Sequence, residues 1–198
     1  MSRQQVGITA LILAAGASSR MGSPKALLMY QGETFLDRLI GSCHQACGSV
    51  VVVLGRHADE IRAGIRHDAK FVLNPDPDRG QLSSMQCGLA EIANAAMFVP
   101  VDLPAVEPAT IVELVEAFQA GDSLIAVPAF DGKHGHPVCI ARPVVEELLA
   151  LPRTGQARDV IHRHRAETLY VAVGDAGVLR DIDTRSEYLD LLVEMQKR

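Results

Sequence analysis

One segment near the start of the chain, residues 11–25 (LILAAGASSRMGSPK), restricts the fold more than any other. Its apolar run ends abruptly after Leu13 in small residues, which is typical of a buried strand that leads into a small-residue loop. Such a loop lets backbone N–H groups approach a ligand closely, and the cations Arg20 and Lys25 follow it. Amide donors combined with Arg and Lys suit an anion such as a triphosphate. The alternative is an ordinary strand and turn with exposed basic residues.

Further along, short apolar runs alternate with segments of helical spacing. This alternation predicts βαβ units and an α/β fold with a mostly parallel central sheet. The aliphatic composition agrees, with 48% apolar residues, 4% aromatic residues and no Trp. The 198 residues suit a single domain over 1–198. Strands are predicted at 7–13, 49–54, 70–73, 97–101, 123–128 and 168–173, and helices at 33–46, 57–66, from about 81, and at 108–120, 143–151, 156–165 and 186–196.

Composition and charge exclude several classes of function. The net charge of −5 provides no basic footprint for nucleic acid. We expect no membrane partner and no secretion, because no apolar run is long enough for a bilayer and the first residues lack a signal-peptide pattern. Scattered cysteines in apolar sequence indicate reduced core residues of a cytoplasmic protein. These are Cys43, Cys47, Cys87 and Cys139; the first two share a predicted helix face, but no second pair completes a zinc set.

A second candidate ligand region follows the third predicted strand. Asn74 would lie at the carboxyl end of that strand, and Ser83 and Ser84 near the start of the next helix. In an open α/β sheet these are places where ligands bind. The structural alternatives are an Asx turn at Asn74 and capping of the helix by the serines.

Acidic residues supply candidate metal ligands. Asp102 directly follows the fourth predicted strand, and Mg²⁺ is commonly held by one or two carboxylates plus substrate phosphates. Asp181 and Asp183 point to one side of an extended segment, because side chains alternate with a period of two. Thr184 and Glu187 fit a capping box, so Asp183 need not serve as a cap. The alternatives are a turn or helix cap at Asp102 and two surface acids before the last helix.

Residues 129–141 interrupt the alternation of strands and helices. A glycine-containing loop joins two extended runs, and we predict a hairpin-like flap rather than another βαβ unit. Within it, Gly135, His136 and Pro137 could bring backbone close to a substrate. His134 and His136 are more typical of a polar loop than of a metal site.

A basic stretch covers residues 158–165, which make up most of the predicted helix at 156–165. His162 and His164 fall on opposite sides, because side chains two positions apart on a helix do not face each other. We therefore interpret this stretch as a solvated face.

The first motif resembles the signature of a known family. Leu13-Ala14-Ala15-Gly16-x-Ser18-x-Arg20-Met21-Gly22-x-Pro24-Lys25 is similar to that of the nucleotidyltransferases related to molybdenum-cofactor cytidylyltransferase and molybdopterin-guanine dinucleotide synthase. Further motifs follow in the family's order between residues 8 and 193. They are Asn74 with Gly80 and Ser83-Ser84, Val101-Asp102-Leu103-Pro104, Gly135-His136-Pro137 and Asp181-Ile182-Asp183-Thr184.

The resemblance implies a Rossmann-like three-layer nucleotidyltransferase fold that binds an NTP at the first loop. It implies that Arg20 and Lys25 contact the phosphates, that Asp102 is catalytic with them, and that Asp102 holds Mg²⁺ with Asp183 as the second carboxylate. Acceptor binding is implied for Gly135, His136 and Pro137. The implied nucleotide-binding set is Leu13, Ala14, Ala15, Gly16, Ser18, Arg20, Lys25, Asn74, Ser83, Ser84 and Asp102.

Two departures from the family's guanylyl branch favour CTP as the nucleotide. That branch has Gly in place of Ala15, and a Gly-rich stretch before an Asp-Lys pair in place of Ser23-Pro24-Lys25. A methyl group on Ala15 would crowd a purine. The resemblance then implies a molybdopterin-type acceptor, with a molybdoenzyme or its maturation factor as partner.

Two other functions stay open. One is transfer to a different phosphorylated acceptor, such as a sugar phosphate or an alcohol phosphate. The other is a non-catalytic carrier of a nucleotide or a pterin. The combination of Lys25, Asp102 and Asp183 argues against the carrier, because binding alone does not need all three.

Overall fold

The structure, a computed structural model, describes residues 7–18 and 21–195. Within these ranges the strands are β1 (Thr9–Ala14), β2 (Met29–Tyr30), β3 (Glu33–Thr34), β4 (Ser49–Leu54), β5 (Lys70–Leu73), β6 (Ala96–Pro100), β7 (Ile125–Phe130), β8 (Lys133–His134), β9 (Val138–Ile140) and β10 (Thr168–Ala172). The helices are α1 (Phe35–His44), α2 (Ala58–Gly64), α3 (Gln81–Leu89), α4 (Pro108–Ala120), α5 (Arg142–Ala150), α6 (Ala157–Arg163) and α7 (Arg185–Met195). Short 3₁₀ helices lie at Lys25–Leu27, Pro77–Arg79, Arg165–Glu167 and Ala176–Leu179. Among the described residues, no helix combines the length and apolarity needed to cross a membrane.

Strand β1 lies inside an eight-stranded sheet. It pairs in parallel with β4 on one side and with β6 on the other. The strand order is β10-β7-β9-β6-β1-β4-β5, and β8 pairs with β7 at the edge of this path. In the described part of the sheet, β8 and β9 run against their neighbours, whereas the other pairings are parallel. The predicted α/β fold with a mostly parallel central sheet is confirmed.

Helices cover both faces of the sheet. The buried residues of β1 are all apolar, so the strand presents apolar side chains to each face, and each face needs a covering layer. Alternate side chains of β1 point to opposite faces. Ala10 and Ile12 belong to a core shared with α1 and α4. Leu11 and Leu13 belong to a second core shared with α3 and α5. The result is the predicted three-layer arrangement, with the carboxyl ends of the parallel strands at one edge.

Helix α1 ends earlier than its apolar spacing predicts. It begins after Thr34, whose side-chain oxygen accepts the Asp37 N–H at 3.0 Å, and it ends at His44. Cys47 therefore lies beyond the helix, which corrects the predicted shared helix face with Cys43. Burial raises the pKa of the Cys47 thiol to about 12 and raises that of Cys43 well above its ordinary value. Both thiols therefore stay protonated at neutral pH.

At residues 129–141 the predicted hairpin-like reversal is confirmed, since both β8 and β9 pair antiparallel with β7, but the prediction of a flap is wrong. The chain does reverse direction, and β8 pairs antiparallel with β7. Strand β9, however, lies inside the sheet between β6 and β7, and its three residues are buried. A fully apolar run of this kind is stable when it has a hydrogen-bonded neighbour on each side, which the sheet provides.

Candidate functional site

A cavity of about 380 Å³ opens at the carboxyl ends of β1 and β6. The pairing of Leu13 with Pro100, and the 3.1 Å hydrogen bond from the Val101 N–H to the Leu13 carbonyl, place Asp102 beside the loop that follows β1. The start of α3 and the acidic segment before α7 complete the walls. The predicted site residues that line the cavity are Leu13, Ala14, Ala15, Gly16, Ser18, Lys25, Ser84, Asp102 and Asp183.

The Lys25 ammonium lies between two carboxylates in this cavity. Its Nζ is 3.3 Å from Oδ2 of Asp102 and 2.5 Å from Oδ1 of Asp183. The Lys25 side chain is only 12% exposed, so water screens these charges less than it would at an open surface. Asp102 and Asp183 lie 77 and 158 positions from Lys25 in the chain, and the fold brings the three residues into one electrostatic cluster.

Asp183 reaches this cluster through a backbone contact of its neighbour. The N–H of the buried Ile182 donates to the Asp102 carbonyl at 2.8 Å. The predicted capping box is confirmed, since Oε2 of Glu187 accepts the N–H groups of Asp183 and Thr184 at 2.7 Å each. The Asp183 carboxylate is therefore not used as the helix cap and faces Lys25.

Asp181 lies outside this cavity, although it shares an extended segment with Asp183. It lines a separate and more open depression near α7. Burial raises the pKa of the Asp181 carboxyl, and the negative charges of Asp102 and Asp183 raise it further. The sequence left both acids as candidates for the second carboxylate; the geometry brings Asp183 and not Asp181 into contact with Lys25.

The loop after β1 is closed by Ser18. Its Oγ accepts the Lys25 N–H at 3.0 Å, and its carbonyl accepts the Met21 N–H at 2.9 Å. Ser18 has a φ of 50°, in the left-handed region that few non-glycine residues adopt. The hydrogen bond from the Lys25 N–H to Ser18 holds the start of the 3₁₀ helix Lys25–Leu27 against the cavity. Arg20, predicted to contact phosphates, lies outside the described residues.

Asn74 supports the loop that borders the cavity. It is buried, and its Nδ2 donates to the Oγ atoms of Ser83 and Ser84 at 2.9 and 3.0 Å. Its Oδ1 accepts the Asp76 N–H at 2.9 Å, as in the alternative of an Asx turn. Ser83 donates to the Gly80 carbonyl at 2.9 Å and is not a helix cap. Neither Asn74 nor Ser83 lines the cavity, whereas Ser84 does.

The residues at this site fit a hard divalent cation that binds together with substrate phosphates. Within residues 7–18 and 21–195, no group of three or more His, Cys, Asp or Glu side chains is arranged to hold a metal ion. Two carboxylates, Asp102 and Asp183, nevertheless face a common cation, the Lys25 ammonium. Mg²⁺ is often held by one or two carboxylates, with phosphate oxygens and waters as its other ligands.

Of the three predicted acceptor residues, His136 lines a cavity, whereas Gly135 and Pro137 do not. His136 lines a second cavity, of about 630 Å³, and its ring lies edge-on to Phe98 at 5.7 Å. Burial lowers the pKa of His136, and the nearby charge of Asp102 partly opposes this shift. Gly135 instead approaches the protein's own backbone, since a Cβ there would lie 2.1 Å from the Val178 oxygen. Pro137 is buried and lines neither cavity.

Sequence reasoning missed several residues that line the cavities. Ile61 of α2 reaches the first cavity, yet its spacing looks like that of any buried helix residue. Gln81 lines both cavities, and no pattern distinguishes it. Arg158 and His162 line the second cavity, and both residues are exposed, in agreement with the predicted solvated face.

A cleft at the carboxyl ends of parallel strands, lined by a small-residue loop, a mostly buried lysine and two carboxylates, is typical of α/β proteins that bind nucleotides. Comparison with known families is more specific. Residues 10–168 match the MobA-like NTP transferase domain, and the chain belongs to this family.

Relatives of known name support this assignment. The chain is 25% identical to the molybdenum cofactor cytidylyltransferase of Escherichia coli K12 over 92% of this chain and 94% of that protein. It is 34% identical to a molybdenum cofactor guanylyltransferase of Sinorhizobium fredii over 78% and 74% of the two chains. It is also 34% identical to the nicotine blue oxidoreductase of Paenarthrobacter nicotinovorans over 72% and 76%.

Solved structures share the fold. Rv0371c from Mycobacterium tuberculosis H37Rv superposes with a TM-score of 0.84 and 31% identity, over 96% of this chain and 99% of that chain. A complex of Rv0371c with manganese superposes with a TM-score of 0.79 and 30% identity, over 94% and 98%. A divalent metal thus occurs in a structure similar to this one.

Proposed function

We propose that this protein transfers CMP from CTP to the phosphate of a molybdopterin-type cofactor and releases pyrophosphate. The observation that carries the proposal is the position of Lys25 between Asp102 and Asp183, in a cavity walled by the loop after β1. Membership of the MobA-like family supports the reaction class. The choice of CTP over GTP depends on Ala15, which is buried and lines the cavity.

The reaction balances without a strong base. An oxygen of the acceptor's phosphate attacks the α-phosphorus of CTP, and the bond from that phosphorus to the bridging oxygen of the β-phosphate breaks. Because the attacking oxygen is already anionic, the protein's task is to position the two reactants and to neutralise charge on the leaving pyrophosphate.

Each part of the site has a role in that task. Residues 15–18 line the cavity, so their backbone N–H groups would donate to the phosphates, and Lys25 would supply positive charge beside the β- and γ-phosphates. Arg20 is proposed to act with Lys25. Asp102 and Asp183 would hold Mg²⁺, which when bound would offset further negative charge on the phosphates.

The setting of the reaction is part of the proposal. Buried protonated thiols, such as Cys43, are typical of a reducing compartment, so we place the enzyme in the cytoplasm. The cytidylylated cofactor would pass to a molybdoenzyme or to its maturation factor. All described residues would act within one domain.

Pyrophosphate release tests this proposal. The purified protein is incubated with Mg²⁺, with each of the four NTPs in turn, and with molybdopterin, a sugar phosphate, an alcohol phosphate or no acceptor. Release that needs both CTP and molybdopterin is expected, and Asp102→Asn serves as the inactive control. Release with a sugar phosphate or an alcohol phosphate alone would assign a different acceptor. Tight NTP binding without release under any condition would instead indicate a carrier.

A further inference from the structure

The two cavities adjoin one another along β6. Pro100 lines the first cavity and Phe98 the second, and residues two apart on a strand share a face. Gln81 lines both cavities. A ligand in the second cavity can therefore reach the group of residues around Lys25.

One wall of the second cavity is cationic. Arg158 and His162 lie four positions apart on α6, and Arg165 follows on the next 3₁₀ helix. Among the described residues that line this cavity there is no Asp or Glu. The nearest ion pair of Arg158 is to Asp159, at 3.9 Å from its Nε, which is longer than a hydrogen bond.

Neighbouring cations on the same segment are arranged differently. Arg163 lies 2.8 Å from Glu147, and His164 lies between Glu147 and Glu167 at 2.6 and 2.8 Å. The cations that face away from the cavity are thus neutralised by carboxylates of this chain. Those that line the cavity are Arg158 and Arg165, which we call the α6 cation group.

Another part of the cavity lining carries aromatic rings. His134 and Tyr170 stack with ring centroids 4.2 Å apart and planes inclined by 22°, and Tyr170 remains 40% exposed. Phe98 and the aliphatic side chains of Val127 and Ile161 extend this surface. An exposed ring pair beside an apolar wall suits a flat conjugated ligand. The volume of about 630 Å³ lies in the range of small-molecule sites and exceeds what a single phosphate requires.

We propose that the second cavity holds the body of the acceptor, with a planar ring system against His134 and Tyr170 and a second anionic group, distant from the reacting phosphate, on the α6 cation group. The identity of the ligand as the acceptor rests on the proposed function. The substrate class is then a phosphate ester that carries a conjugated ring and a further negative charge. Acceptors without that charge are bound more weakly.

Two fluorescent pterins test the anionic subsite without any nucleotide. The wild-type protein is titrated with 6-carboxypterin and with 6-hydroxymethylpterin, which differ in the charge of one substituent. Because charge-assisted hydrogen bonds are the stronger ones, 6-carboxypterin should bind at least about tenfold more tightly. The double variant Arg158→Gln/Arg165→Gln should lose this preference, and Arg158→Lys/Arg165→Lys should recover part of it.

A matched control comes from the same region. Arg153→Gln removes one exposed positive charge from the loop before α6, outside the cavity lining, and should keep the preference. Equal binding of the two pterins by the wild type, no binding of 6-carboxypterin at millimolar concentration, or a preference unchanged in the Gln double variant would each overturn the subsite. Thermal melting of every variant separates these results from misfolding.

A kinetic measurement separates this inference from the proposed function. With molybdopterin and CTP, the Gln double variant should raise KM for the acceptor about tenfold or more, with KM for CTP unchanged. Transfer with an unchanged acceptor KM would contradict the subsite and leave the transferase intact. A charge preference among pterins without any transfer would instead reject the transferase, and with it the role of the ligand as acceptor.

Discussion

The backbone N–H of Ile182 donates to the carbonyl oxygen of Asp102 at 2.8 Å. This single hydrogen bond joins the segment before the last helix to the end of β6, in the interior of the sheet. Since Ile182 is buried, its side chain fixes the segment in the core while its neighbour Asp183 faces Lys25. The acidic pair is therefore built by backbone pairing, so either carboxylate can be neutralised without removing the hydrogen bond that positions it.

Removal of the Lys25 charge should abolish most turnover. Lys25→Met keeps an apolar stem but leaves Asp102 and Asp183 without their shared cation, and it removes charge from the leaving group's side of the cavity. We expect a loss on the order of 10²-fold or more in the rate of pyrophosphate release. Lys70→Met, on the edge strand β5, should leave the rate unchanged. Near-normal turnover by Lys25→Met would remove it from the catalytic group.

The two acids of the 181–183 segment should behave differently. Asp183→Asn should lower turnover by about tenfold or more and raise the Mg²⁺ concentration needed for half activity, because one of two hard ligands is weakened. Asp181→Asn is the matched control and should change both quantities much less. Initial rates over a Mg²⁺ titration provide the measurement. An equal or larger effect of Asp181→Asn would contradict the assignment of Asp183, rather than Asp181, as the second carboxylate that holds Mg²⁺.

Gly135 should tolerate no side chain. A Cβ at this position would meet the Val178 backbone oxygen, and backbone cannot move away as a side-chain end can. Gly135→Ala should therefore destabilise the fold by about 1–3 kcal/mol in urea unfolding. Gly174→Ala is the control, because a Cβ there meets nothing within 4 Å. Equal stability of the two variants would contradict the close approach of these two backbones.

His164 should make stability depend on pH at the α5–α6 junction. Hydrogen bonds to Glu167 and Glu147 raise the pKa of His164 above the ordinary 6.5. The contribution of His164 to the free energy of unfolding is therefore fully present below pH 6.5, and it is lost as the pH rises through the pKa of His164 in the folded protein. The His164 hydrogen bond also lowers the pKa of Glu147, whose contribution is lost as the pH falls below its ordinary 4.5. Arg163 pairs with the same carboxylate.

The measurement compares the wild type with His164→Gln at two pH values. The difference in the free energy of unfolding should be larger at pH 6 than at pH 9, because the imidazolium form makes both ion pairs at the lower pH. His136 titrates in the opposite sense, since burial lowers its pKa, but it is present in both proteins and cancels. An equal difference at the two pH values would refute the charged form of His164.

The sequence predicts the layout of the sheet well because apolar periodicity is local. The convergence of Lys25 and Asp102 follows from the rule that parallel strands end at one edge. The place of β9 does not follow, because three apolar residues fit a flap as well as a strand, and the pairing partners β6 and β7 decide between them. The same limit applies to Arg158, since the face that a seven-residue helix presents is set by tertiary packing.

Asn74 shows a different limit. Its position at the end of β5 is predictable, but the direction of its amide is fixed by partners nine and ten residues away. Ser83 is turned toward the Gly80 carbonyl, so it supports the loop from inside. Side chains that hold a site in place and side chains that line it occupy the same sequence motif, and only their contacts distinguish them.

The most direct test of the central claim follows the phosphorus atoms of CTP. The protein is supplied with Mg²⁺, molybdopterin and CTP that carries a radioactive label on either the α- or the γ-phosphorus. The account predicts that the α-label appears in the modified acceptor and the γ-label in pyrophosphate, and that both products are lost in Lys25→Met. An α-label that stays in CTP or is released as free CMP would contradict it.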